Sequence, residues 1–332
     1  MHMADALLSP AVAGTMYAAS AVAAGYSVKK VRLENDIKKI PVMGVMAAFV
    51  FAAEMINFTI PGTGSSGHLC GGLLLSVLLG PYAGFLSMIS VLVIQCLLFA
   101  DGGLLALGGN IWNMAFYGCF IGYLLIYRPM VKGSMKSGRI IMASVLGSVI
   151  SLQLGAFSVT LESLISGITA LSFQEFLLLM QPIHLAIGAA EGLITAAVVI
   201  FIKNTRPELL ENNRLENRFS FRQTLIILAA VVVLIGGGLS LAASSNPDGL
   251  EWSIQKITGD TEIAPESEHT GAVAAAQEIQ DKTAVLPDYA FAGSSSPAGT
   301  SVSGIFGSVV VAVICIGCAV LFKFFKKDGR KS

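Results

Sequence analysis

A histidine in second position has chemistry that an internal histidine lacks. Here it is His2, behind Met1. Initiator methionine is normally trimmed only before a small residue, so Met1 is expected to stay. The α-amine of Met1, the amide nitrogen of His2 and the imidazole Nδ1 of His2 can then close two fused chelate rings around one ion. The amine, with an ordinary pKa of about 7.7–8.0, yields its proton readily to a metal. The backbone amide does so only for an ion that favours compact planar nitrogen coordination. A fourth nitrogen would complete a square, and His68 is the candidate. Such coordination points to Ni(II) or Cu(II), with Co(II) also open, whereas zinc and magnesium fit poorly. The competing reading is a frayed terminal residue and an ordinary loop histidine.

His68 stands in a stretch, Phe58 to Gly72, that contains five glycines. Glycine permits unusual backbone angles and close approach. The hydroxyls of Thr63, Ser65 and Ser66 can orient imidazoles from outside the ligand set. Glu54 and Asn57 stand near enough to support the same loop, and Asn110 and Asn113 are further supporting or interhelical groups. His184 and Glu191 are seven residues apart and share a helical face. A buried hydrogen-bonded pair is expected there, with a second metal site as the alternative. Cys70 and the CxxC pair Cys315 and Cys318 read as packing residues.

The elements that position these residues follow from composition. Of 332 residues, 54% are hydrophobic and 13% charged, against about 25% charged in ordinary soluble domains. Mean hydropathy is +0.74. A soluble chain this apolar could not cover its surface, and disorder, collagen and coiled coil are excluded too. We expect an all-α, polytopic membrane protein in contact with the lipid bilayer. Nine crossings are expected, at about 8–28, 41–58, 69–80, 82–100, 104–127, 140–161, 176–202, 223–243 and 302–322. The third is short, and Gly80-Pro81 breaks it from the fourth.

Nineteen of the 21 basic residues fall in four clusters: Lys29 to Lys39, Arg128 to Arg139, Lys203 to Arg222, and Lys323 to Lys331. Basic residues beside spans mark the cytoplasmic side. All four clusters lie inside only if residues 59–127 cross three times. The N-terminus is then outside and the C-terminus inside, and both His2 and His68 fall on the outer face. Ser9-Pro10 is expected as the cap and first residue of the opening helix. Since basic residues follow the first apolar run, it is not read as a cleavable signal. Residues 244–301, with nine acidic residues, are expected to be a small, partly flexible outer segment. The expected domains are 1–205, a cytoplasmic linker 206–222, and a two-span domain 223–332.

Net charge is zero, so no nucleic-acid partner is expected. The sequence has no GxxxxGK[ST] phosphate loop, no HExxH and no dinucleotide-binding glycine fingerprint. It is therefore read as a transporter, channel or membrane assembly subunit without its own ATPase, in preference to an enzyme.

Several motifs sharpen this. Met1-His2 with Asp5, the loop Gly64–Gly72, Gln95 through Gly103, Ala106–Asn110 with Asn113–Ala115, Pro182–Gly188 and Glu191–Thr195 together resemble the CbiM/NikM family. These are the substrate-capture components of energy-coupling factor transporters for cobalt and nickel. The resemblance covers about residues 1–205 and implies that Met1, His2 and His68 hold the metal. Asp5 joins Glu54, Asn57, Ser65, Ser66 and Asn110 as a supporting group. Asp5-Ala6 replaces the family's usual Glu-Gly, and Pro10 comes one residue late. Residues 223–326, with Pro247-Asp-Gly-Leu-Glu251, Leu286–Phe291 and Gly304–Leu321, resemble the small two-span partner subunit of the same systems.

The resemblance implies a cargo of Ni(II) or Co(II), a transmembrane coupling subunit, a pair of ABC ATPase subunits, and residence in the cytoplasmic membrane of a prokaryote. Ala48 and Ala52, four apart, are the candidate docking face for the coupling subunit, with packing inside this chain as the alternative. Two other functions stay open on residues alone. One is an ion-coupled secondary transporter using Glu54, His184 and Glu191; the other is a membrane enzyme with a buried metal.

Overall fold

A computed structural model describes residues 1–31, 39–168, 171–210, 219–261, 263, 270–291, 293 and 296–328. Arg32, Lys38, Arg214, Arg218, Arg330 and Lys331 of the basic clusters lie outside the described residues, as do Glu262, Glu266 and Glu268 of the acidic segment.

The helices in chain order are α1 (Pro10–Lys30), α2 (Lys39–Glu54), α3 (Gly72–Leu79), α4 (Pro81–Phe99), α5 (Leu107–Val131), α6 (Ser137–Ser166), α7 (Phe173–Thr205), α8 (Phe221–Gly237), α9 (Gly249–Thr258), α10 (Thr270–Thr283) and α11 (Ala298–Asp328). Two short antiparallel strands, β1 (Phe58–Ile60) and β2 (Ser65–Gly67), pair with Thr59 opposite Ser66. The chain is an all-α polytopic membrane protein with this small hairpin on it.

Local signals account for several boundaries. Ser9 caps α1 by accepting from the Val12 amide, and Pro10 opens the helix, as expected. Gly80, at φ 85°, separates α3 from α4, and Pro81 begins α4. Ser220 and Gln223 form a reciprocal capping box at the start of α8.

Among the described residues, six helices are long and apolar enough to cross a membrane: α4, α5, α6, α7, α8 with its continuation to Ala242, and α11. The other three expected crossings differ. Helix α1 has 21 residues but is built mostly from alanine, glycine and serine with few large aliphatics. Helix α2 is shorter, at 16 residues. Within the expected span 69–80 the helix is α3, with only 8 residues, about 12 Å of rise. The non-helical stretch Ser65 to Gly71 precedes it, and every residue from Ser65 to Leu79 is buried. Irregular backbone is tolerated at membrane depth when protein covers it.

Helices α6 and α7 pack along each other, and α2 is covered by α8 and α11. This corrects the docking face. Ala48 and Ala52 are buried, and the Ser308 hydroxyl of α11 donates to the Ala48 carbonyl at 3.4 Å. The chain's own last span occupies the face proposed for a separate subunit.

Within the expected outer segment 244–301, the described residues include two helices, α9 and α10. They rest on the first part of the chain, α9 against α7 and α10 against α4. The Ser244 amide donates to the Asn57 carbonyl at 2.7 Å, and the Leu286 amide to the Leu98 carbonyl at 3.2 Å.

Candidate metal centre

The N-terminal segment is fixed by the chain's own polar groups. Asn110 accepts from the Met3 amide at 2.7 Å and donates to the Met3 carbonyl at 3.1 Å. The Met3 carbonyl also accepts from the Gly103 amide at 2.9 Å. Asp5 accepts from the Ala106 amide at 3.0 Å. A side chain at Gly103 would overlap Asp5, so glycine is what lets these segments meet. Burial pushes the Asp5 carboxyl up from its usual value, partly offset by amides of residues 104–106. Asn110 and Asp5 therefore support the N-terminal segment, while Met1 and Met3 are almost wholly buried.

This places the Met1 amine 2.9 Å from Nε2 of His68. Nδ1 of His68 lies 3.0 Å from the Leu69 carbonyl, which can only accept. Nδ1 thus carries the ring proton, and the Nε2 lone pair faces the amine. The His68 loop is held by Glu191, whose two carboxylate oxygens accept from the amides of Cys70 at 2.8 Å and Gly71 at 3.2 Å. Gly71 has φ 79°, and a Cβ there would overlap Val50. The expected His184–Glu191 pair is not formed: Nδ1 of His184 bonds the Met180 carbonyl at 2.8 Å, and its Nε2 has no partner.

The His2 ring stacks on that of His68. Its Nε2 is 3.2 Å from Oε1 of Gln95, whose amide group donates to Glu54 at 2.7 Å. Glu54 supports His2 through Gln95 and does not support the His68 loop as expected. Nδ1 of His2 faces Oδ1 of Asp101 at 3.3 Å. Burial pushes the imidazole pKa down to about 4, against the pull of Asp101. A neutral ring that donates through Nε2 turns the Nδ1 lone pair toward a carboxylate, an arrangement that favours a cation nearby.

Sequence reasoning missed three polar partners. Gln95 was visible only as part of a motif, and Asp101 was not singled out. Asp248, read only as part of the Pro247–Glu251 signature, has Oδ2 2.5 Å from the Met1 amine and 3.8 Å from Nε2 of His68. Burial alone would raise the Asp248 carboxyl, but its neighbours, the charged amine foremost, outweigh it and hold it well below the usual range. Burial opposes the charged amine too, yet Asp248 and its neighbours hold it above its ordinary value. Met1, His68, His184, Asp248 and Gly249 line a cavity of about 10 Å³, roughly the volume one water needs.

Ser65 and Ser66 do not orient an imidazole. The Ser66 hydroxyl donates to the Asn246 carbonyl at 2.8 Å, and the Ser66 amide to the Pro247 carbonyl at 2.8 Å. The Ser65 hydroxyl bonds the Ser66 carbonyl at 3.1 Å. Asn57 contributes its backbone carbonyl, while its side-chain oxygen has no partner.

Among the described residues no three His, Cys, Asp or Glu side chains are grouped to hold a metal.

Fold and site define a multi-pass helical membrane protein with a nitrogen-lined pocket at its buried N-terminus. The profile described as cobalt uptake substrate-specific transmembrane region, CbiM, matches residues 2–209, and the PDGLE domain matches residues 222–324. The chain belongs to the CbiM family, with a NikN-like PDGLE region fused to it. A NikMN fusion of Archaeoglobus fulgidus is 34% identical over 95% of this chain and 96% of its own. The fused nickel transport protein NikMN of Rhodobacter capsulatus is 31% identical over 96% of each chain. A crystal structure of a truncated transition metal transporter is similar at 33% identity and TM-score 0.54, covering 61% of this chain and 98% of that one.

Proposed function

We propose that this chain captures Ni(II) or Co(II) on the outer face of a prokaryotic cytoplasmic membrane and releases it inward as the substrate component of an energy-coupling factor transporter. A coupling subunit and a pair of ABC ATPases would supply the energy, since the sequence has no phosphate loop of its own. The observation that carries this reading is the buried 2.9 Å separation between the Met1 amine and Nε2 of His68. Two nitrogens about 2.0 Å from one ion, on adjacent corners of a square, stand about 2.8 Å apart. The amide and Nδ1 of His2 are the donors proposed for the remaining corners; Nδ1 would be shared with, or drawn from, Asp101.

Nickel is the first cargo to test. The Rhodobacter capsulatus relative that spans both parts is named for nickel, whereas a Sorangium cellulosum relative covering 54% of this chain is a cobalt transport protein CbiM. Purified, untagged protein is expected to carry about one nickel per chain with a diamagnetic planar signature, and His68→Ala to retain about a tenth or less. Full metal content in His68→Ala would overturn the assignment.

A further inference from the structure

We propose that Asp248, in the fused accessory region, is a positioning residue of the metal site: its carboxylate seats the Met1 amine beside His68. This rests on the metal-capture reading above and extends it, because the site would then be completed only by the accessory half of the chain.

The two oxygens of Asp248 have separate tasks. Oδ1 accepts from the amides of Leu250 at 2.8 Å and Glu251 at 2.9 Å, so it caps α9. Glu251 returns a bond to the Asp248 amide at 2.9 Å. This reciprocal box fixes the carboxylate plane and leaves Oδ2 aimed at the amine, 2.5 Å away.

The corner that carries Asp248 is itself locked to the His68 loop. The Pro247 carbonyl accepts from the Ser66 amide, and the Trp252 indole donates to the Thr63 carbonyl at 3.0 Å. Gly249 allows the corner to press against α7: a Cβ there would stand 2.8 Å from Cγ2 of Ile183 and 3.1 Å from Cε1 of His184. Pro247, Asp248 and Gly249 thus place one carboxylate oxygen against the chain's first atom. A second bond reaches the other side of the site, from the Tyr289 hydroxyl to Oδ2 of Asp101 at 2.5 Å.

The contact is compatible with capture. A metal takes the lone pair of the amine, and the coordinated amine keeps two N–H groups. One can still donate to Asp248 while His68 turns its lone pair to the metal.

The test uses the full chain and Asp248→Ser. Serine caps a helix about as well as aspartate but has no carboxylate to reach the amine. Nickel retention of Asp248→Ser is expected to fall about tenfold or more, as for loss of a group that orients a ligand. In the nickel-free protein, acylation of the Met1 amine, read by mass spectrometry of the N-terminal peptide, is expected to be several-fold faster than in the parent chain. A role in capping alone predicts parental values for both measurements, and either parental value overturns the proposal. His68→Ala is run beside it. If His68→Ala is empty while Asp248→Ser is full, the positioning role fails and metal capture stands. If His68→Ala is full, the capture reading itself fails.

Discussion

The imidazole of His2 lies on that of His68, with ring centroids 5.3 Å apart and planes 20° from parallel. The stack needs the N-terminal segment to run inward, where Asn110 and Gly103 take its backbone bonds. It also needs the His68 loop to be held from below by Glu191. The two rings therefore report on two independent supports.

The first prediction concerns the chain end. The Met1 amine is buried and in contact with both His68 and Asp248. A single glycine added before Met1 moves the free amine by about 3.3–3.6 Å and puts an amide in its place. Nickel retention is expected to be lost, as measured by metal analysis after gel filtration. Parental affinity in the extended chain would exclude the amine as a donor.

The second concerns Gln95, which joins Glu54 to His2. In Gln95→Leu the ring loses the acceptor that fixes its tautomer. Affinity is expected to drop about 10- to 100-fold with the helical content unchanged, read by competition with a coloured chelator and by circular dichroism.

The third concerns Glu191. Its carboxylate satisfies two buried amides, at Cys70 and Gly71. Glu191→Ala leaves both without a partner, each costing about 1–3 kcal/mol. A lower thermal midpoint in detergent is expected, with Glu191→Gln in between because one acceptor oxygen remains. A midpoint for Glu191→Ala equal to the parent's would mean that the loop is held by other contacts.

The fourth concerns Gly249. The added methyl of Gly249→Ala meets Ile183, His184 and Ile187. Overpacking of this kind costs about 1–3 kcal/mol. The thermal midpoint is expected to fall, and protease is expected to cut faster within residues 244–301. Unchanged digestion would show that α9 accommodates the methyl in place.

Much of the fold was legible in the sequence because its causes are local. Apolar runs, Ser9-Pro10 and Gly80-Pro81 act within a turn or two of themselves, and they gave the helical class and several boundaries. The Met1–His2 pair was legible for the same reason, since fused chelate rings need only adjacent atoms. His68 stood out through its glycine-rich surroundings. The residues around these donors were not legible. Met1 and Asp248 are separated by 247 positions, and His2 and Gln95 by 93. No periodicity or spacing records such meetings, because they depend on how whole helices pack. Only packing decided that α11 reaches Ala48 while Ala52 is buried, that Glu191 holds the His68 loop and not His184, and that the accessory region reaches the first residue. The sequence by itself determined which atoms could bind a metal; the tertiary structure decided which carboxylates and amides stand around them, because burial requires each polar group to find a partner wherever the fold brings one.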